Sequence, residues 1–395
     1  MSDSTIDSGA SCDPRRAEAP PADRGARPLR VLGVDPERGF AGGETQVLGL
    51  TLALKRAGHT AHLACDPNGT LIQRAQREGV TCIPLAIRNA VDVLAGLHLR
   101  RIVAGGDYDI VHFHTSRAHA MAPFIGRALA ARVVTRRMDY PPNRLFAPWL
   151  YNHAVDGIAA ISAGVADALV SSGVERDRIT IIPSGVDCDR FRPASVEERR
   201  DARRRLGLSE NAFVIGSVGM LEPRKGHGFL IEAFASVAKN PPRPDLDLAC
   251  VIAGGGSERS ELESQAARSG PRERVIFAGK VADSRGVLDA LDLFVLPSLR
   301  EGLGVALLEA MACGLPSIVS RTGGAAEAIE DGVSGLLAEP GDAQSIAMAL
   351  CSLMRDDAMR IAMGAAARKR AMVNFSMEGM AEATLALYRR VLARR

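Results

Sequence analysis

Short apolar runs alternate with helix-forming segments along almost the whole chain, and the alternation occurs twice. The first set of runs lies at 28–35, 60–65, 81–84, 109–114, 132–135, 157–162 and 179–182, with helical patterning at 45–57, 70–79, 91–104, 119–130 and 164–171. Strands separated by helices pair in parallel, because each crossover carries the chain back to the same end of the sheet. The stretch Pro183-Ser-Gly-Val-Asp-Cys-Asp-Arg-Phe-Arg-Pro193 breaks the pattern and reads as a linker. After a charged helix at 196–206 the alternation restarts, with strands at 213–218, 248–253, 275–278, 293–296 and 317–320. The expected fold class is therefore α/β: two Rossmann-like, doubly wound domains facing an interdomain cleft. The domains are placed at 29–185 and 186–376, with a disordered polar tail at 1–28 and an amphipathic last helix from 377.

A chain of 395 residues, 47% of them apolar, can bury two separate cores. The net charge of +3, with both signs interspersed, argues against a nucleic-acid partner. No apolar run reaches the roughly 18 residues needed to span a bilayer. The tail lacks the apolar stretch of a signal peptide. Seven scattered cysteines without a Cys-x-x-Cys pair fit a reduced, cytoplasmic setting, and no His/Cys/carboxylate spacing suggests a metal site.

Open α/β sheets bind ligands beyond the C-terminal ends of their strands, so the loops at those ends carry the functional argument. The densest is Pro297-Ser-Leu-Arg-Glu301-Gly-Leu-Gly-Val-Ala-Leu-Leu-Glu309, two carboxylates with seven residues between them around a Gly-rich turn. Backbone N–H groups near Gly302 and Gly304 suit an anion as the next helix begins. Glu309 is expected about two turns on, on the face of Glu301. An acidic loop followed by a solvated helix residue is the alternative. Glu222-Pro-Arg224-Lys225-Gly226 places adjacent cations at another strand end, suited to a diphosphate or else a plain basic turn. Ala253-Gly-Gly-Gly256 and Gly279-Lys280-Val281 close two further strands, the latter able to present backbone to a base edge.

In the first half, Gly42-Gly43 precedes a helix N-terminus that can face an anion held by the other domain. His112 and His114 lie two apart on one strand, hence on one face, with His114 at the ligand end; a core or interface histidine is the alternative. Arg136-Arg137-Met-Asp139 ends another strand and suits either an anionic acceptor or the domain interface.

Taken together, these residues resemble glycosyltransferase family 4, retaining nucleotide-sugar transferases of the GT-B fold. The resemblance covers nearly everything after residue 28. It rests on the Glu301-x7-Glu309 motif followed by Ala-Met-Ala-Cys-Gly-Leu-Pro316, and on Gly42-Gly43-Glu44, Asp109-Ile-Val-His-Phe-His114, Ile182-Pro-Ser-Gly-Val-Asp187 and Lys225-Gly226. It implies that Glu309 holds the ribose of the donor, that Glu301 contacts the transferred sugar, and that the amides of Leu303, Gly304 and Val305 hold sugar or phosphate oxygens. Lys225 with a nearby Arg, here Arg224, would neutralise the leaving diphosphate. Gly279, Lys280 and Val281 would frame the base, with Gly256 nearby. Gly43 would approach the diphosphate, and His114 the sugar. Catalytic roles thus fall on Glu301, His114 and Lys225, and the last helix would cross back to the first domain.

The resemblance implies a nucleotide-diphosphate-sugar donor, no cofactor and no metal. The acceptor is a glycan, lipid-linked or small molecule. A sugar-nucleotide epimerase, a phosphorylase of related fold, or an inactive sugar-nucleotide-binding protein are the alternatives. One departure stands out: many members carry Gly-Arg before the basic loop, and this chain has Gly219-Met220. Arg127, Arg132, Arg136, Arg137 and Arg144 near Phe146 and Trp149 also suit peripheral contact with the inner face of a membrane, or else a solvated face.

Overall fold

The computed structural model describes residues 27–270 and 274–395, so the expected tail falls, but for Arg27 and Pro28, outside the described residues. Thirteen strands are described: β1 (Arg30–Asp35), β2 (Thr60–Cys65), β3 (Cys82–Pro84), β4 (Ile110–Phe113), β5 (Ala131–Arg136), β6 (Gly157–Ala160), β7 (Ile179–Ile181), β8 (Phe213–Val218), β9 (Leu248–Ala253), β10 (Val275–Gly279), β11 (Leu293–Leu296), β12 (Ser317–Ser320) and β13 (Leu336–Ala338). They form two sheets, in the orders β3-β2-β1-β4-β5-β6-β7 and β10-β9-β8-β11-β12-β13. The pairings within both are parallel. Helices cover both faces, which is why β4, β5 and β9 are buried at every position rather than at alternate ones.

Each sheet reverses its strand order once, between β1 and β4 and between β8 and β11. Adjacent connections there leave in opposite directions and open a crevice. The loops after β1, β8 and β11 carry Gly42-Gly43, Arg224-Lys225 and Glu301, so topology alone brings these motifs to the two crevices.

The sequence reading differs from the structure at two elements. The expected helix at 119–130 is a short turn, Ser116–His119, then a single 3₁₀ turn, Ala122–Phe124. Pro123 and Gly126 interrupt the helical ladder there. Strand β13, three residues long, is too short to show a period in the sequence.

The helix Met377–Ala393 packs on the first sheet, not the second. Leu385, Leu387, Tyr388 and Val391 are buried with Ala131, Val133 and Ala159, each large apolar side chain contributing roughly 1.5–3 kcal/mol. The Tyr388 hydroxyl bonds His112 Nδ1 at 2.6 Å, and His112 Nε2 meets the Thr135 hydroxyl at 2.7 Å. The chain returns beside its own linker: Val186 N–H donates to the Phe375 carbonyl at 2.7 Å, and Met377 N–H to the Val186 carbonyl at 3.0 Å.

Candidate active site

A cleft of about 1410 Å³ opens between the C-terminal edges of the two sheets. Its lining includes Gly42, Gly43, Arg137, Arg224, Lys225, Gly256, Lys280, Val281, Glu301, Leu303, Gly304, Val305 and Glu309. His114, Arg136, Asp139 and Gly279, also singled out from the sequence, are not among the lining residues.

Lys225 and Glu301 meet because their loops are stitched together. Residues Pro223–Lys225 form one 3₁₀ turn closed by Gly226 at φ +65, a left-handed conformation that a side chain disfavours. A Cβ on Gly226 would lie 2.1 Å from the Pro297 carbonyl oxygen, so both backbone angle and close approach require glycine. The Leu299 N–H donates to the Arg224 carbonyl at 2.8 Å. The Lys225 ammonium then donates to the Glu301 carboxylate, which also accepts from the Ser298 hydroxyl at 3.1 Å. Both side chains are nearly enclosed, at 13% and 10% exposure.

Glu309 sits within the helix Val305–Ala312. Glu301 precedes that helix in the loop, so the two carboxylates share the cleft through the turn at 302–304 and not through a helix face. Desolvation pushes the Glu309 carboxyl up to about 7, against the Ser284 hydroxyl bond that lowers it. That bond is 2.6 Å long. Ser284 carries no motif and the sequence reading missed it. The same holds for Arg190, which lines the cleft and pairs with Asp283 at 2.8 Å.

Across the cleft, the helix Gly42–Arg56 presents its N-terminus. A Cβ on Gly42 would come within 3.1 Å of the Val305 side chain, so the two helix starts face each other closely, whereas a Cβ on Gly43 would meet open space. Both helix N-termini suit an anion between them.

His114 is buried at 5% exposure with its ring 4.0 Å from that of His112, and its enclosed Nδ1 has no hydrogen-bond partner. Desolvation holds both histidines well below their ordinary range, hence neutral. The paired arginines diverge because neighbours at a strand end point to opposite faces. Arg136 turns inward to the Tyr140 carbonyl at 2.7 Å and the Ser116 hydroxyl at 3.3 Å. Arg137 faces the cleft. Asp139 lies 3.8 Å from Arg300 of the second domain.

The expected basic surface divides for a similar reason. Arg132 donates two hydrogen bonds to Asp156, both at 2.9 Å, inside the fold. Leu145, Phe146 and Trp149 stay exposed, at 83%, 68% and 55%, next to exposed Arg144. No described helix is long and apolar enough to cross a membrane. Among the described residues no group of three or more His, Cys, Asp or Glu side chains is placed to hold a metal ion, and six cysteines are free.

Two family models divide the chain as the sheets do. "Glycosyltransferase Family 4" matches residues 40–190 and "Glycosyl transferases group 1" matches residues 198–370. A D-inositol 3-phosphate glycosyltransferase of Kribbella flavida is 30% identical over 339 residues, 79% of this chain and 78% of that one. The chain belongs to glycosyltransferase family 4. Another relative, the D-inositol 3-phosphate glycosyltransferase of Corynebacterium jeikeium, is 39% identical over 217 residues, 53% of this chain and 51% of its own. A GDP-mannose-dependent monoacylated alpha-(1-6)-phosphatidylinositol monomannoside mannosyltransferase of Corynebacterium glutamicum is 37% identical over 51% of this chain and 53% of its own. The chain thus spans about half the length of these last two relatives.

Among solved structures, a glycosyltransferase from Rickettsia africae superimposes with a TM-score of 0.82 at 22% identity, covering 94% of this chain and all of its own. Anabaena HepE, solved with UDP and glucose, gives 0.80 at 22% identity, covering 91% and 98%. The fold of this family 4 chain is GT-B. Its departure at Met220 leaves a thioether, 44% exposed, in the cleft lining. Arg224, the nearest substitute, turns its Nε onto Glu222 at 2.9 Å.

Proposed function

We propose that the chain is a retaining glycosyltransferase that moves a sugar from a nucleotide-diphosphate sugar to a hydroxyl of a glycan, lipid-linked or small-molecule acceptor. The observation that carries this reading is the enclosed Lys225–Glu301 pair, which lines one cleft with Glu309 opposite the Gly42-Gly43 helix start. HepE, a structural neighbour, was solved with UDP and with UDP-glucose. The Corynebacterium glutamicum relative is named for GDP-mannose. These names support a nucleotide-sugar donor and leave its base and sugar open.

In this reading Glu309 accepts hydrogen bonds from the ribose diol, and Lys280 and Val281 frame the base. Breaking the anomeric C–O bond develops positive charge on the sugar and negative charge on the departing phosphate. Lys225, the amides at 303–305 and the Gly42 helix start face that phosphate, and fixed charges aimed at developing charge are the main source of rate. Lys225 also balances Glu301 until the donor arrives. Attack from the face that the phosphate leaves, assisted by the phosphate itself, gives retention without an enzyme nucleophile. With protein cations on the leaving group the reaction needs no divalent metal and no cofactor. His114, buried and neutral, supports the cleft wall from behind, and this reading gives it no direct bond to the sugar.

We place the enzyme in the cytoplasm with Leu145, Phe146 and Trp149 resting on the inner membrane face beside Arg144. A thermal-shift panel of nucleotide sugars and free nucleotides tests the donor assignment, because a ligand that binds only the folded state raises the melting point. NMR of the productive donor with EDTA present then reports anomeric configuration and metal independence. Inverted product, loss of turnover in EDTA, or C2 inversion of the donor alone would each overturn the corresponding part.

A further inference from the structure

Among the described residues Arg137 has no bonded anion. Arg137 is half-buried, and the buried arginines Arg132 and Arg203 are well bonded. Arg132 holds Asp156 through two nitrogens at 2.9 Å. Arg203 holds Asp292 at 2.7 Å and the Ala290 carbonyl at 3.1 Å. Arg136 holds the Tyr140 carbonyl and Ser116 through its terminal nitrogens, although its enclosed Nε has no partner. Arg137, among the described residues, has one hydrogen bond, a long one of 3.5 Å from Nη1 to the Ser184 hydroxyl, and its enclosed Nε has none. Desolvation pulls its guanidinium down to about 10, with Asp35 and Glu44 the acidic groups that act against this. Among the described residues neither is hydrogen-bonded to the guanidinium. Burial holds Asp35 near 7, and the Glu44 carboxylate is committed to the Ala41 N–H at 2.7 Å. A desolvated cation without a bonded anion is costly, and a planar fork left open is suited to the paired oxygens of phosphate.

Its position says which substrate would supply that anion. Arg137 follows β5 in the first sheet, whereas Lys225, Arg224 and Lys280 all come from the second. A Cβ on Gly302 would sit 2.4 Å from the Arg137 carbonyl oxygen, so Arg137 abuts the residue after Glu301. The backbone of Arg137 therefore lies beside the loop of Glu301, and its guanidinium, near Ser184, Asp35 and Glu44, is on the wall opposite the donor cations. We propose that Arg137 with Ser184 forms the subsite for an anionic group, a phosphate, on the acceptor, close to the hydroxyl that is glycosylated. This rests on the glycosyltransferase reading and adds to it the chemical class of the acceptor.

The test uses inorganic phosphate as the probe and needs no known acceptor. The nucleoside diphosphate that protects best in the thermal panel, UDP or GDP, is first brought to saturation so that the donor phosphate site is filled. Phosphate is then titrated calorimetrically into wild type, Arg137→Gln and Arg137→Lys. Wild type is expected to keep one phosphate site, weakened at least about tenfold in Arg137→Gln, with nucleotide affinity unchanged within about twofold. Arg137→Lys keeps the charge without the fork, and is expected to fall between the two; it carries the test if Arg137→Gln does not fold. Absence of a phosphate site in the nucleotide-saturated wild type, or equal phosphate binding by the variants, would overturn the proposal. So would an equal loss of nucleotide and phosphate binding, which would give Arg137 to the donor. A chain that binds no nucleotide at all overturns the function instead, and phosphate titration of the free protein still reads Arg137.

Discussion

The Lys225 ammonium donates to the Glu301 carboxylate although 76 positions separate them in the sequence. Each is the other's counter-charge. Replacing Lys225 with Ala removes the cation facing the leaving phosphate and leaves Glu301 a buried charge without its partner. Turnover is expected to fall more than donor affinity, since the interaction grows as the bond breaks. Single-turnover kinetics beside calorimetry of donor binding separates the two. Near-wild-type rates would move the leaving-group role to Arg224 or Arg190.

Glu309→Ala is expected to weaken nucleotide-sugar binding by roughly 1–3 kcal/mol, the range for hydrogen bonds to a charged group. The pH dependence is a sharper measurement. Desolvation pushes the Glu309 carboxyl up to about 7, and a ribose diol donates to the ionised form. Affinity in wild type should therefore rise from pH 6 to 8, and Glu309→Gln should lose that rise. A pH-independent wild type would remove the ribose role.

The same carboxyl affects folding. Glu309 and Asp35 are both raised to about 7 by burial. Between their unfolded values and 7, the unfolded chain releases protons that the folded chain retains. Stability should fall as pH rises across that window, by roughly 3–4 kcal/mol for each carboxyl, and level off above it. Denaturant melts at pH 5, 6 and 8 read the slope, and Glu309→Gln or Asp35→Asn should each flatten it.

Glu327 of the second domain accepts the Ala163 and Gly164 N–H groups of the first at 2.9 and 2.8 Å. It thus caps the helix Ala163–Val170 from across the interface, and a carboxylate at a helix N-terminus contributes roughly 0.3–1 kcal/mol. Glu327→Ala should favour a more open pair of domains. Small-angle scattering is expected to show a larger radius of gyration for the variant without nucleotide; identical profiles would assign the contact to local helix capping alone.

Trp149 is the chain's only tryptophan and is 55% exposed. Anionic vesicles at low salt should shift its emission to the blue, and Phe146→Ser should reduce the shift. Unchanged emission and no co-sedimentation would place this surface in water.

The fold was legible because its signal is local and repeated. Strand–helix alternation and the break at 183–193 can be read without knowing which strands touch, and Glu301, Glu309, Lys225 and Gly42-Gly43 fall at strand ends that any doubly wound sheet brings to one edge. Local sequence could not show pairings set by loops that meet in space. Ser284 beneath Glu309, and Arg190 reaching the cleft from the linker, carry no pattern of their own. Two adjacent arginines look alike in sequence. Only the direction of each side chain at the end of β5, and the covering of one of them by Ser116 and Tyr140, sends Arg136 into the fold and leaves Arg137 open in the cleft. Sequence by itself determined which residues lie at the binding edge. Tertiary structure decided which of them are paired, buried or left with charge to spare, because desolvation and hydrogen bonding depend on neighbours that the chain brings together only when folded.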